Sequence, residues 1–469
     1  MIPAPTSVTT FPGTLEPSSS PFHGPQGIAD LLAELGLPVF GRWSEVDTED
    51  GSAGRGVHGD EGYRLRVSEE GLEVRGRLAG LRWAVQTLRA FVPGKPLPHM
   101  EITDSPRYAW RGSLLDVARW CLPIEFLHRY VDLLALHKLN RLHLHLTDDQ
   151  GWRFESKHHP RLHEVGGFRR RTMRGHYYHF AFDDVPHGGF YTQEQLKNLV
   201  AYARRRGVEI MPEIDLPGHT QAAIAAYPEL GNHPDRTVEV SQQWGIHDIV
   251  LNTRDETVAF FRDVLDEVVD VFPFEYVHLG GDEVRPLEWQ DSAEALRRAE
   301  SLRLSKVEDL LGWWIGRLAA HLQTRGRRTA VWDELLEAAP PKGLLFFGWR
   351  DATRAPAARH AGFEAVSCPQ RHAYFDWAEG FREGEPLAIT GFVPLEMVYA
   401  FEPGDVTGVQ GQLWTEYLPT PELVEYRAFP RLSALAEVGW STHHDYGDFL
   451  ARLPEHLRLL DSLGVNYRR

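Results

Sequence analysis

Two cysteines, Cys121 and Cys368, are all that 469 residues contain. So few exclude a disulfide framework and a zinc-thiolate centre, and neither redox nor structural-metal chemistry is expected. Positive charge is short as well: the net charge is −16 at pH 7, which argues against nucleic acid or an anionic membrane surface as the partner. Met1 to Ser20 has no basic stretch followed by an apolar run, so no leader or membrane span is read and the expected location is the cytoplasm. Absent too are G-x-G-x-x-G and G-x-x-x-x-G-K-[ST], the glycine-rich turns that cradle phosphates in dinucleotide and P-loop folds.

What is present starts with organisation. Residues from Met1 to about Gly27 are rich in Pro, Ser, Thr and Gly and read as extended or loosely held. Helical spacing from Ile28 to Leu35, alternation over Tyr63 to Val67 and Leu72 to Arg75, and an amphipathic run from Ala79 to Val92 predict a small α+β unit. It ends near the Pro-rich stretch Pro93 to Pro106, which divides the chain into residues 1–105 and 106–469.

Beyond Tyr108 the pattern becomes apolar strand, then helix, repeated. Strands are predicted at Gly112–Val117, Arg141–Thr147, Glu209–Ile214, Tyr276–Leu279, Thr329–Trp332, Leu344–Trp349, Glu364–Ser367 and Val406–Leu413. Helices at Ile124–His137, Gln193–Arg206, Thr257–Val271 and Lys306–Arg325 separate several of them, and a short helical segment follows the last strand. This alternation fits a (β/α)8 barrel better than an open doubly wound sheet.

A barrel carries its site at the C-terminal ends of its strands, and polar or aromatic residues stand at every predicted end. These are Asp116 and Arg119; Asp148 and Asp149; Glu213, Asp215 and His219; Asp282 and Glu283; Trp332, Asp333 and Glu334; Trp349; Tyr374 and Asp376; and Trp414 with Glu416. Asp282-Glu283, after Leu279-Gly280-Gly281, is the most telling pair. Adjacent acids disfavour each other's ionisation, so one can hold a proton for a leaving group. A helix N-cap is the alternative for such a pair in isolation.

In order along the chain, Arg111-Gly-x-x-x-Asp116-x-x-Arg119, His143-x-His145-x-x-Asp148-Asp149-x-x-Trp152, Pro212-Glu-x-Asp215-x-x-x-His219, His278-x-Gly-Gly-Asp282-Glu283 and Trp414-x-Glu416 resemble the β-N-acetylhexosaminidases of glycoside hydrolase family 20. The resemblance implies an exo-acting retaining glycosidase in which the sugar's own 2-acetamido group attacks the anomeric carbon. It implies Glu283 as acid and then base, Asp282 as the acceptor orienting the acetamido N–H, and Tyr374 as the donor to the acetamido oxygen. Asp148 and His219 become a relay tuning Glu283, with Asp215 holding His219. Arg119, Asp376 and Glu416 become ligands of ring hydroxyls, and Trp332, Trp349 and Trp414 the aromatic walls, with barrel core as their alternative. Arg111 reads as structural, pairing within the barrel. Taking Asp282 and Glu283 as strand residues, they would point to opposite sides and be poorly placed to flank one bond.

The implied partner is an oligosaccharide or glycoconjugate ending in N-acetylhexosamine, with no nucleic acid, membrane, metal or cofactor; no oligomeric state follows from the sequence. Two other classes compete. His143-x-His145 puts two imidazoles on one strand face, as in metal-dependent barrel hydrolases, but on the second strand and without a further ligand set. A sugar-binding barrel without catalysis would show damage to Asp282, Glu283 or Tyr374, and all are present. Arg169-Arg170-Arg171 admits a phosphorylated sugar as a lesser reading. Trp120-Cys121 departs from the family pattern and is expected to alter the pocket rim, while the loop Arg174–Phe190 is expected to carry acceptor preference.

Overall fold

The computed structural model describes residues 1–17, 20–46, 59–91 and 95–469. Val92 and the first two residues of the Pro-rich stretch lie outside them.

The N-terminal unit is a five-stranded sheet made of β1 (Ser7–Leu15), β2 (Arg42–Glu45), β3 (Tyr63–Ser68), β4 (Gly71–Gly76) and β5 (Leu97–Asp104), ordered β1-β5-β3-β4-β2. In β3, Tyr63, Leu65 and Val67 are buried while Arg64 and Arg66 face solvent, the period-two pattern of a half-buried strand. Helices α1 (Gln26–Glu34) and α2 (Leu78–Leu88) cover the buried face through Ile28, Leu31, Leu81, Ala84 and Val85.

Residues 7–15 are extended, one of the two forms expected, and the Pro-rich stretch carries a strand that was not expected: β1 and β5 pair antiparallel from Ser7↔Thr103 to Leu15↔Leu97, with a bulge between Thr10 and Thr14. All of β1 but Leu15 is exposed, so backbone pairing rather than apolar alternation holds it.

The second unit is a closed barrel of eight parallel strands: β6 (Trp110–Asp116), β7 (Arg141–His145), β8 (Glu209–Glu213), β9 (Tyr276–His278), β10 (Arg328–Trp332), β11 (Leu345–Gly348), β12 (Glu364–Ser367) and β13 (Gly408–Leu413), with β13 pairing back onto β6. Each predicted strand is found, with ends that differ by at most two residues. Helices Ile124–Leu136, Gln193–Arg205, Asp255–Val271 and Leu310–Thr324 follow the first four strands. Thr192 and Gln195 form a reciprocal capping box that starts the second of these helices. After β10 there is only a 3-10 turn, Asp333–Glu337, which brings Asp333 and Glu334 straight to the barrel mouth. Helix Tyr446–Ser462 follows the barrel. Among the described residues no helix is long and apolar enough to cross a membrane.

The charge partner of Arg111 does not lie within the barrel. Its guanidinium forms a fork on Glu61 of the N-terminal unit, at 2.7 and 3.0 Å, and also donates to the carbonyls of Lys138 and Tyr108. A buried Arg needs a planar partner for its fork, and Glu61 supplies one across the junction.

Candidate active site

Strand β9 stops at His278, so Asp282 and Glu283 are loop residues and not neighbours on a strand. Their divergence comes from backbone conformation: Gly280 (φ 68°), Gly281 (φ 92°) and Glu283 (φ 49°) are all left-handed. At Gly280 a Cβ would lie 1.7 Å from Asp215 Oδ1, so no side chain fits. Glu283 and His219 (φ 52°) hold this strained region without being glycine, as residues pinned at functional sites do.

The loops after the strands enclose a cavity of about 590 Å3, a volume suited to a small organic ligand. It is lined by Arg119, Asp148, His219, Asp282, Glu283, Trp332, Trp349, Tyr374, Asp376, Trp414 and Glu416, so the predicted site residues converge on one space. Asp215 lies just behind it. Asp282 is 8% exposed, whereas the Glu283 side chain is 31% exposed at the cavity edge.

His219 joins the two acids: its Nε2 is 3.5 Å from Glu283 Oε2 and 3.9 Å from Asp282 Oδ2. On its other side Nδ1 lies 3.3 Å from both Asp148 Oδ1 and Asp149 Oδ2, ion-pair distances without hydrogen-bond alignment. Burial alone would lower the imidazole pKa, but the charge of Asp148 raises it well above its ordinary value. Asp149 stood in the sequence as a polar strand-end residue without an assigned role.

Asp215 does not hold His219 as expected. Its Oδ1 accepts from the Gly281 amide at 3.2 Å, and its carboxyl faces that of Asp282. Burial, with the Asp282 charge adding to it, pushes the Asp215 carboxyl well above the usual range. Burial pushes Asp282 only to about 6, because His219 opposes the repulsion from Glu283. Burial therefore favours the protonated form at Asp215 more strongly than at Asp282, where His219 offsets it.

The walls are set from beneath. Trp332 Nε1 donates to Glu213 Oε1 at 2.9 Å, and Trp332 also belongs to the apolar cluster inside the barrel, so it is pocket floor and core at once. Trp349 donates to Glu334 at 3.0 Å and stacks on Tyr374 with ring centres 6.1 Å apart. Burial first, then the charges of Asp282 and Asp333, push Glu334 to about 8. Tyr374 is buried and its phenol pushed well upward, so it remains a donor.

Arg119 is already engaged by Gln150 at 2.9 Å, Asp116 at 3.2 Å and Asp148 at 2.9 Å, and it lies over the Trp414 ring. Each terminal nitrogen keeps a second N–H for a ligand. Asp376 and Glu416 are both pushed upward, foremost by burial, and Asp376 Oδ1 has no hydrogen-bond partner among the described residues.

His143 and His145 both turn on Glu213, at 3.1 and 2.5 Å, and His145 also reaches Asp148 at 3.0 Å. Burial would lower the His145 pKa, yet Glu213 and Asp148 raise it to about 10. Metal-sized groupings among the described residues are His143-Glu213-His278, His145-Glu213-Asp215, Asp148-Asp149-His219 and Asp215-His219-Asp282. Histidine–carboxylate ion pairs tie together all of the first and third groupings and His145 with Glu213 in the second, so these donors face one another.

The arginine run is not part of the cavity lining: Arg169 is buried on the carbonyls of Arg119 and Gln150, Arg170 pairs with Glu239, and Arg171 with Asp184. Trp120 and Cys121 stand behind the rim, Trp120 bonding the Glu416 carbonyl and packing on His187, and the Cys121 amide donating to His187.

The catalytic-domain model of glycosyl hydrolase family 20 matches residues 108–443, and the model of that family's domain 2 matches residues 26–105. A beta-hexosaminidase of Porphyromonas gingivalis is 36% identical over 434 residues, covering 87% of this chain but only 54% of that protein. A beta-N-acetylhexosaminidase of Cellulomonas fimi is 34% identical, covering 94% of this chain and 87% of its own length. Among solved structures, an exo beta-N-acetylglucosaminidase of Vibrio harveyi in complex with N-acetylglucosamine superposes with a TM-score of 0.88 at 31% identity, covering 100% of this chain and 78% of that one. The Streptomyces plicatus N-acetyl-beta-hexosaminidase in complex with Thio-NAglucal gives 0.85 at 30% identity, covering 100% and 96%.

Proposed function

The chain belongs to glycosyl hydrolase family 20 and is a glycoside hydrolase, and we propose that it removes terminal non-reducing N-acetylglucosamine or N-acetylgalactosamine from glycans with retention of configuration, using the substrate's acetamido group as nucleophile. The observation that carries this reading is the unlike pair Asp282 and Glu283, one buried and one at the cavity edge, within reach of a single imidazole.

In this mechanism Glu283 protonates the leaving glycosidic oxygen. Asp282, whose charge the neighbouring His219 favours, accepts the acetamido N–H and turns the carbonyl oxygen toward the anomeric carbon. As that oxygen bonds carbon and the glycosidic bond breaks, positive charge spreads over an oxazolinium ring, which Asp282 stabilises from a site dry enough to strengthen the interaction. Tyr374 donates to the acetamido oxygen while Trp332, Trp349 and Trp414 enclose the methyl group. Glu283 then takes a proton from water, which opens the ring and restores the configuration. His219, held by Asp148 and Asp149, steadies the Glu283 carboxylate between these two proton transfers. Arg119, Asp376 and Glu416 fix the ring hydroxyls at the closed end, which makes the action exo.

We also place the domain division at residues 105 and 106, supported by separate apolar cores on either side, although Trp440 of the second unit packs into the first. Release of chromophore from a chromogenic N-acetyl-β-glucosaminide tests the activity. Binding of the sugar without release would leave a lectin-like barrel in its place.

A further inference from the structure

The cavity has a second tier that the hexosamine reading leaves unused. Outside the polar inner set, its lining continues through Tyr177 and Phe180 on one side and Gln243 to His247 on the other. Tyr177 is 52% exposed, Phe180 67% and Ile246 39%, so apolar surface stands open to water in one continuous piece with the catalytic space.

This tier is built, not loose. Met173–Arg174 and Ala181–Phe182 pair as a hairpin whose tip carries Tyr177 and Phe180. The Met173 amide donates to the Gln242 carbonyl at 2.8 Å, and Arg171 donates to the Gln242 side chain at 2.8 Å, tying the hairpin to the segment opposite. That segment is in turn held by the inner set: Ser241 N donates to Asp149 O at 2.9 Å, and Gln150 Nε2 to Gln243 O at 2.8 Å. At the tip, His176 stacks on Tyr178 and packs against Tyr417, next to Glu416 of the inner set.

Charge is nearly absent from the tier. Its cation Arg285 is paired with Asp248 at 3.0 Å, and His247 is bonded to Ser241. Flat, neutral, amphipathic rings suit the C–H face of a neutral pyranose better than an anionic group.

We propose that Tyr177, Phe180 and the 244–247 segment form a subsite for a neutral pyranose on the reducing side of the scissile bond, so that the enzyme favours oligosaccharide ends over small glycosides. This rests on the inner tier being the hexosamine site.

The test compares methyl N-acetyl-β-glucosaminide, whose aglycone is too small to reach the rim, with a panel of neutral di- and trisaccharides ending in N-acetyl-β-hexosamine. The unmodified enzyme should show higher kcat/KM on at least one panel member. Tyr177→Ala and Phe180→Ala, both at exposed positions, should lower kcat/KM on that substrate by about tenfold, mainly through KM, and leave the methyl glycoside unchanged. The proposal is overturned if no oligosaccharide is favoured, if the variants change nothing, or if both substrate types lose equally. Turnover of nothing in the panel, the methyl glycoside included, would instead sink the hydrolase reading and this subsite with it.

Discussion

Two networks of buried charge sit on the barrel, and they are built on opposite principles. At the junction with the N-terminal unit, Arg111 meets Glu61, and Lys138 meets Asp104 at 2.6 Å, with Tyr63 and Trp440 also donating to Asp104. Each of these charges is matched by an opposite one. At the mouth, Asp215, Asp282, Glu283, Glu334 and Asp376 crowd acids together, and buried oxygens of Asp149, Asp215, Asp282 and Asp376 lack a hydrogen-bond partner among the described residues. A matched network holds a structure, and a mismatched one stores capacity for a ligand that will complete it.

The comparison breaks first at Glu283. Glu283→Gln should lower kcat/KM about a hundred- to ten-thousandfold on substrates with poor leaving groups and far less on activated aryl glycosides, with unfolding unchanged; an equal loss on both would contradict the acid role. Arg111→Met should do the reverse, lowering stability by about 3–5 kcal/mol by stranding Glu61 while kcat stays within a few fold, as denaturant unfolding beside kinetics would show.

Asp282→Asn sharpens the contrast, because one substitution should damage function and spare the fold. It should cost about a hundred- to a thousandfold in kcat while leaving Tm unchanged or raised, since it removes a like charge from a crowded site. In the unmodified enzyme kcat/KM should fall as pH drops through about 6, where Asp282 takes up its proton, and the variant should lose that limb.

The last contrast is at Glu334, which should show in stability alone. Folding raises its pKa from the ordinary 4.5 to about 8, so over that window the unfolded chain binds fewer protons and stability falls as pH rises. Glu334→Gln should flatten that slope, and an unchanged slope in urea unfolding across the window would show that Glu334 is ionised in the folded state.

How far these features were legible depended on what kind of signal each leaves. Barrel strands announce themselves by apolar runs bounded by polar ends, which is why all eight could be placed. Strand β1 leaves no such trace, since its exposed side chains do not alternate and only its backbone is paired. Asp282 and Glu283 were found from the motif, but their divergence depends on left-handed backbone at Gly280, Gly281 and Glu283, which no spacing rule reveals. Asp149 and Glu334 were visible as acids at strand ends, yet only packing shows that one holds His219 and the other Trp349. Arg111 was read as internal because its partner, Glu61, lies fifty residues away in a unit whose docking the sequence does not encode locally. Trp244 to His247 lies in a loop without motif or period, so its place on the rim had no sequence signal at all.

The central claim is that Asp282 steers the substrate's own acetamide into acting as the nucleophile. It is tested most directly by kcat/KM across 2-acylamino substrates in which the acyl methyl is replaced stepwise by mono-, di- and trifluoromethyl. Fluorine withdraws electrons from the carbonyl oxygen, so the account predicts a steep and continuous fall along the series. A flat response would assign the attack to a group of the protein and contradict it.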